Sequence, residues 1–183
     1  MTDFAHIEPI TNPAEVKKAM SLIDDVVDQP WHLKTSWITS HKWIAVPVES
    51  ASHFDERDAE CLSQAAGFFG YSECAGVATE PLENSILCYR VPTTQEAFLE
   101  FSRETTALNY VLLPEDRFFA VLCTSEDYYI VAGPHDFVTK AVGSSIDTAR
   151  KMFMRFADDP TWPPSERRRL VAVGERYAQF DDT

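Results

Sequence analysis

No apolar run in this chain approaches the roughly 20 residues that a helix needs to cross a bilayer. The opening residues, MTDFAHIEPITNPAEV, hold no basic stretch followed by an apolar one, so no secretory signal is expected there. These two absences set the expectation of a cytoplasmic protein with no membrane partner. Cysteine is sparse: Cys61, Cys74, Cys88 and Cys123 lie at wide, irregular spacings, with no C-x-x-C and no Cys/His pair at zinc-ligand spacing. Three of them sit in apolar runs, where a reduced thiol serves as a small hydrophobe, so neither disulfide nor metal nor cofactor is expected. No G-x-S-x-G elbow occurs, and no glycine-rich loop leads to a Walker lysine. The motifs therefore lean away from an enzyme without naming an alternative.

Basic residues are the other shortage. Lys and Arg number 16 against 29 Asp and Glu, a net charge of −13, and all of that excess lies in residues 1–144. Such a field repels nucleic acid and anionic membrane and favours encounter with a basic protein. The single basic run, Arg167-Arg168-Arg169, covers about 200 degrees of a helix and cannot form one flat patch. Ion pairing with the acidic body is the expectation for it, rather than nucleic-acid binding.

What is present is the material of one domain over residues 1–183, with 12 Phe and 6 Tyr to fill a core. Asn12 and Pro13 open a helix with Val16, Ala19, Met20, Ile23, Val26 and Val27 inward, and Gln29-Pro30 closes it. Strand character follows over Ser36–Val48, where Pro47 places the strand at an edge or ends it. Ser52 or Asp55 caps a second helix that Gly70 terminates. Two short strands are expected near Cys74–Thr79 and Ser85–Val91, and a helix capped by Thr93 comes next. After a strand over Asn109–Leu113, the segment Arg117–Gly143 reads as a hairpin, a Gly-Pro break and a helix. A helix over Ser145–Ala157 has Ile146, Ala149, Met152, Phe153 and Phe156 inward. The proline-rich stretch 158–164 leads to a last helix over Pro164–Gln179. The fold class expected is α+β, a single domain whose antiparallel or mixed sheet of about five or six strands carries about five helices.

With Thr124–Asp127 as a four-residue loop, Cys123 faces Tyr128 and Val121 faces Ile130 in the hairpin. Both faces are then apolar, so helices, or a second subunit on one side, must cover them. The tyrosine hydroxyls, near the turn, are expected to reach water.

Two places invite a ligand. In an extended strand Trp37, His41 and Trp43 share one face, an aromatic row with a titratable imidazole that suits a pocket or a protein-binding surface. Gly133, His135 and Asp136 lie where a strand hands over to a helix, a geometry that can hold an anion on free backbone N–H groups. The recurring acid pairs Asp24-Asp25, Glu115-Asp116, Glu126-Asp127, Asp158-Asp159 and Asp181-Asp182 read as solvated carboxylates, because adjacency in sequence does not make two carboxyls converge. Cys123, among apolar neighbours, is expected to have a raised pKa rather than an activated thiolate.

The reading that results is a non-catalytic acidic interaction protein binding a basic protein, in its concrete form a bacterial toxin-neutralising, immunity-type protein. The alternative is a small-molecule-binding domain or enzyme with a pocket on the Trp37/His41/Trp43 face. A homodimer through an apolar face is compatible with either.

Overall fold

A computed structural model of the chain describes residues 4–51, 54–80, 86–106 and 108–180. In chain order the elements are β1 (Glu8–Pro9), α1 (Pro13–Ile23), β2 (Val27–Gln29), β3 (His32–Leu33), α2 (Thr35–His41), β4 (Ile44–Glu49), α3 (Glu56–Phe68) and β5 (Glu73–Ala78). They continue with β6 (Cys88–Pro92), α4 (Gln95–Glu104), β7 (Tyr110–Leu113), β8 (Ala120–Cys123), β9 (Tyr128–Gly133), α5 (His135–Ala141), α6 (Ile146–Ala157) and α7 (Pro164–Ala178). The α+β expectation holds, with more elements than expected. One seven-stranded sheet runs β1-β6-β5-β7-β8-β9-β4, and β2 and β3 form a separate two-stranded ribbon. Every pairing in the large sheet is antiparallel.

Local chemistry accounts for the helix boundaries. Asn12 accepts from the Ala14 amide and Pro13 occupies the first turn of α1. This helix ends at Ile23, earlier than expected, because the chain doubles back as the β2–β3 ribbon. Asp55 caps α3 in a full capping box with Asp58. The alternative cap, Ser52, lies outside the described residues. The cap of α4 is Thr94, one residue beyond the expected Thr93, whose hydroxyl instead donates to the Tyr71 carbonyl at 2.7 Å. Ser145 caps α6, on which Met152 points outward, 54% exposed, rather than into the core.

Helices cover both faces of the sheet. On one face α3, α4 and α5 pack on Tyr89, Tyr110, Leu112, Val121, Tyr129 and Val131. On the other, α1, α2 and α7 pack on Val77, Val111, Leu122, Tyr128 and Ile130. The sixth helix gives Ile146 and Ala149 to the first cluster and Phe153 and Ala157 to the second, so it wraps the edge formed by β4. The chain's own helices thus bury the two apolar faces that the sequence foretold, without a second subunit.

The hairpin register differs from expectation by one residue. Cys123 stands opposite Tyr129, and Val121 opposite Val131. The connection is wider because the Thr124 hydroxyl donates to the Tyr128 carbonyl at 2.5 Å and the Ser125 amide donates to Asn109 Oδ1 at 2.9 Å. A one-residue slip moves every side chain to the other face. Tyr128 therefore lies under α7 and Tyr129 under α3. Both hydroxyls are buried without a hydrogen bond of ordinary geometry, not in water as expected.

Candidate functional site

The expected Trp strand is a helix for half its length. Residues 35–41 form α2, and only from Ile44 is the chain extended, so Trp37, His41 and Trp43 do not alternate along one strand face. They meet by a different route. Trp37 and His41 are four residues apart on the helix, hence neighbours on its surface. Lys42 then adopts a left-handed conformation (φ 54°), its amide closing the helix on Ile38 and Thr39, and this turn folds Trp43 back. The Trp37 and Trp43 rings stand edge to face at 4.8 Å, and His41 stacks on Trp43 at 4.3 Å. Trp37 is buried, Trp43 half-buried and His41 exposed.

His41 Nδ1 lies 2.8 Å from the Trp37 carbonyl. A carbonyl only accepts, so Nδ1 carries a proton and donates it to Trp37. Beside His41 opens a shallow basin of about 620 Å³, with Ser36, Trp37, Ser40 and His41 of α2 on one side. The β7–β8 turn supplies Glu115, Asp116 and Arg117 on the other, and Asp25 completes the rim. The turn is fixed from within: the Phe118 amide donates to Asp116 Oδ1 at 3.1 Å, and the Tyr71 hydroxyl donates to Asp116 Oδ2 at 2.7 Å. Hydrogen bonding to that carboxylate, with burial as the larger cause, drives the Tyr71 phenol well above its ordinary pKa. Arg117 pairs with Asp25 at 2.8 Å, and Lys18 pairs with Glu115 at 2.6 Å. Arg117 is itself left-handed (φ 58°). Among the described residues, Lys42 and Arg117 are the only non-glycine residues with positive φ, and both flank this basin. Backbone strain of that kind concentrates at binding and switch sites.

The other expected site reaches the same end of the sheet but stays outside the basin. Ile44 pairs with Gly133, so Trp43 and Pro134 leave the sheet side by side. A Cβ on Gly133 would sit 3.2 Å from Phe119 Cβ and 3.2 Å from Phe137 Cδ1, so this glycine answers to packing. The helix it precedes, α5, has seven residues. His135 Nδ1 and Asp136 Oδ1 lie 3.3 Å apart at the surface.

Asp25, Glu115 and Asp116, read from sequence as merely solvated, are the residues that sequence reasoning missed. The sheet order, which puts the β7–β8 turn beside α2, gives them their place.

Nucleophilic chemistry finds no support in the thiols. All four cysteines are free, and burial raises the pKa of each, that of Cys88 to about 11. Among the described residues no three His, Cys, Asp or Glu side chains converge as a metal site, and no helix is long and apolar enough to cross a membrane. The basic run of α7 forms ion pairs, Arg167 with Asp158 and Arg169 with Glu126, each at 2.7 Å. No protein-family model, curated protein or solved structure matches this chain.

Proposed function

We propose that the protein is a non-catalytic interaction protein that receives a basic segment of another protein in the basin between α2 and the β7–β8 turn. The observation that carries this reading is the composition of the rim, three carboxylates against one guanidinium beside the exposed His41. A lysine or arginine side chain finds there both opposite charge and a hydrogen-bond acceptor. The shallow, open shape suits a protein surface better than a metabolite, which calls for a deeper site. Neutralisation of a basic toxin, the immunity-type role, is one form such an interaction takes. It rests on the same acidity.

The test is capture from the protein's own cell lysate at about 50 mM and about 300 mM salt, with the triple variant Asp25→Asn, Glu115→Gln, Asp116→Asn run in parallel. The expected result is a basic protein held at low salt, released at high salt, and lost by the triple variant. A metabolite co-purifying in place of a protein, or equal capture by the variant, overturns the reading.

A further inference from the structure

The basin has a neighbour that shares one of its residues. Glu115, on the basin's rim, also borders a groove of about 410 Å³ between α1 and the strands β5 and β6. Sheet register builds this groove. Glu8 pairs with Arg90, Arg90 with Ala75, and Ala75 with Leu113, a cross-strand row on one face of the sheet. Leu113 and Ala75 belong to the apolar cluster that α1 completes with Ala19 and Leu22. Ala75 and Ala19 both line the groove, and side chains this small leave a hollow between strand and helix, flanked by Leu22 and Ile10. Beside Ala75, β7 stops at Leu113, and the chain turns through Glu115 into the basin. Groove and basin thus form one track, apolar in its floor at one end.

The charges along this track do not cancel. Arg90 pairs with Glu8 at 3.3 Å and also with Glu15, so two carboxylates share one guanidinium. Glu73 is exposed and stands two residues before Ala75, on the same strand face. It forms no ion pair among the described residues and acts on Arg90 only at longer range. Lys18 and Arg117 are matched one to one, by Glu115 and Asp25. Asp116 is held by neutral donors, the Tyr71 hydroxyl and the Phe118 amide. The lining residues and their pair partners therefore include three more carboxylates than cations, with every ion pair already counted.

We propose that the groove receives an apolar side chain of the same partner segment whose basic residue enters the basin, which rests on the basin's receiving such a segment. The chemistry recognised is a large aliphatic residue set among lysines or arginines. Its aliphatic chain fills the hollow over Ala19 and Ala75, one cation meets Asp116, and another meets Glu73 and the shared Glu15. Surplus negative charge alone accepts any basic chain and mainly speeds encounter. The hollow adds a choice, because an anchor that leaves water for a fitted pocket carries much of an interface's affinity. A polyamine brings the charge and has nothing to place there.

The experiment measures affinity by fluorescence anisotropy at about 50 mM salt, with the full chain and two labelled peptides. One is a short peptide of lysine, glycine and leucine, the other the same peptide with serine for leucine, and spermidine is the competitor. The leucine peptide should bind about tenfold more tightly than the serine peptide. Ala75→Leu, which fills the hollow from the strand, should abolish that preference and leave the serine peptide's affinity unchanged. Glu73→Gln, at an exposed position, should weaken the leucine peptide about threefold, and it decides alone if Ala75→Leu lowers the melting temperature. Equal binding of the two peptides overturns the groove's role. If that binding is lost in Asp25→Asn with Asp116→Asn, the basin keeps its own. A leucine preference abolished by Ala75→Leu but indifferent to the basin variant upholds the groove and removes the basin. A preference that survives both Ala75→Leu and Glu73→Gln, or displacement of the leucine peptide by spermidine at equal charge, overturns the proposal. Binding of neither peptide overturns both.

Discussion

Asp58 shows how one side chain serves the fold and strains it. Its carboxylate closes the capping box of α3, accepting from the Asp55 amide at 3.4 Å. Burial, then the neighbouring Asp55, holds its pKa above the ordinary carboxylate value, with Tyr129, the Asp55 amide and Arg57 pulling the other way. A group with a raised folded pKa favours the fold fully below its unfolded pKa, and loses that contribution as pH rises through the folded value. At neutral pH the charged Asp58 is thus a net cost. Asparagine keeps the cap's acceptor and does not titrate. Asp58→Asn should gain on the wild type as pH rises from about 3 to about 7, by about 1–3 °C in melting temperature. Melting curves at three pH values check this, and a difference independent of pH would contradict it.

At the scale of elements, β5 and α4 approach closely because of one glycine. A Cβ on Gly76 would stand 2.4 Å from Phe101 Cε2 and 2.9 Å from Cζ. The Phe101 ring is fully buried and boxed edge to face by Tyr89 at 5.8 Å and Tyr110 at 5.7 Å, so it has no room to retreat. Gly76→Ala should therefore destabilise by about 1–3 kcal/mol. Chemical denaturation measures it, and a wild-type midpoint would mean that the ring yields. Elements of this kind were legible in sequence to different depths. The caps of α1, α3 and α6 and the unbroken apolar runs of β8 and β9 are local signals, and the structure follows them. The seven residues of α2 are too few to display a 3.6-residue period, and their Trp, Ile and Thr content speaks for a strand. Only the left-handed turn at Lys42, invisible in composition, separates helix from strand there. The hairpin register hung on one threonine hydroxyl and on Asn109, fifteen residues before Thr124. The basin was illegible for a further reason: β7–β8 and α2 are joined by sheet order, which no local pattern encodes.

For the molecule as a whole the question is whether its ion pairs offset its net charge. The pairs Lys18–Glu115, Arg117–Asp25 and Arg167–Asp158 are largely exposed, and such pairs contribute about 0–1 kcal/mol each. A net charge of −13 on 183 residues repels itself at every distance within the Debye length. Repulsion should win. Raising salt from about 20 to about 200 mM is expected to lift the melting temperature by a few degrees, and a fall would show that the pairs dominate.

The two ends of the sheet share a detail. The Ser50 amide donates inward to Asp127, and the Ile10 amide inward to Cys88, so the odd-numbered amides of β4 and β1 point away from the sheet. Pro47 and Pro9 stand at those outward positions, where there is no N–H to offer. On β4 the outward donors left are Ala45 and Glu49, roughly 13 Å apart, and α6 packs against this strand. A foreign strand laid along either margin meets a proline where a ladder donor should stand, which weakens edge-to-edge pairing. Recognition of another chain is thereby shifted from the backbone of these margins towards side chains.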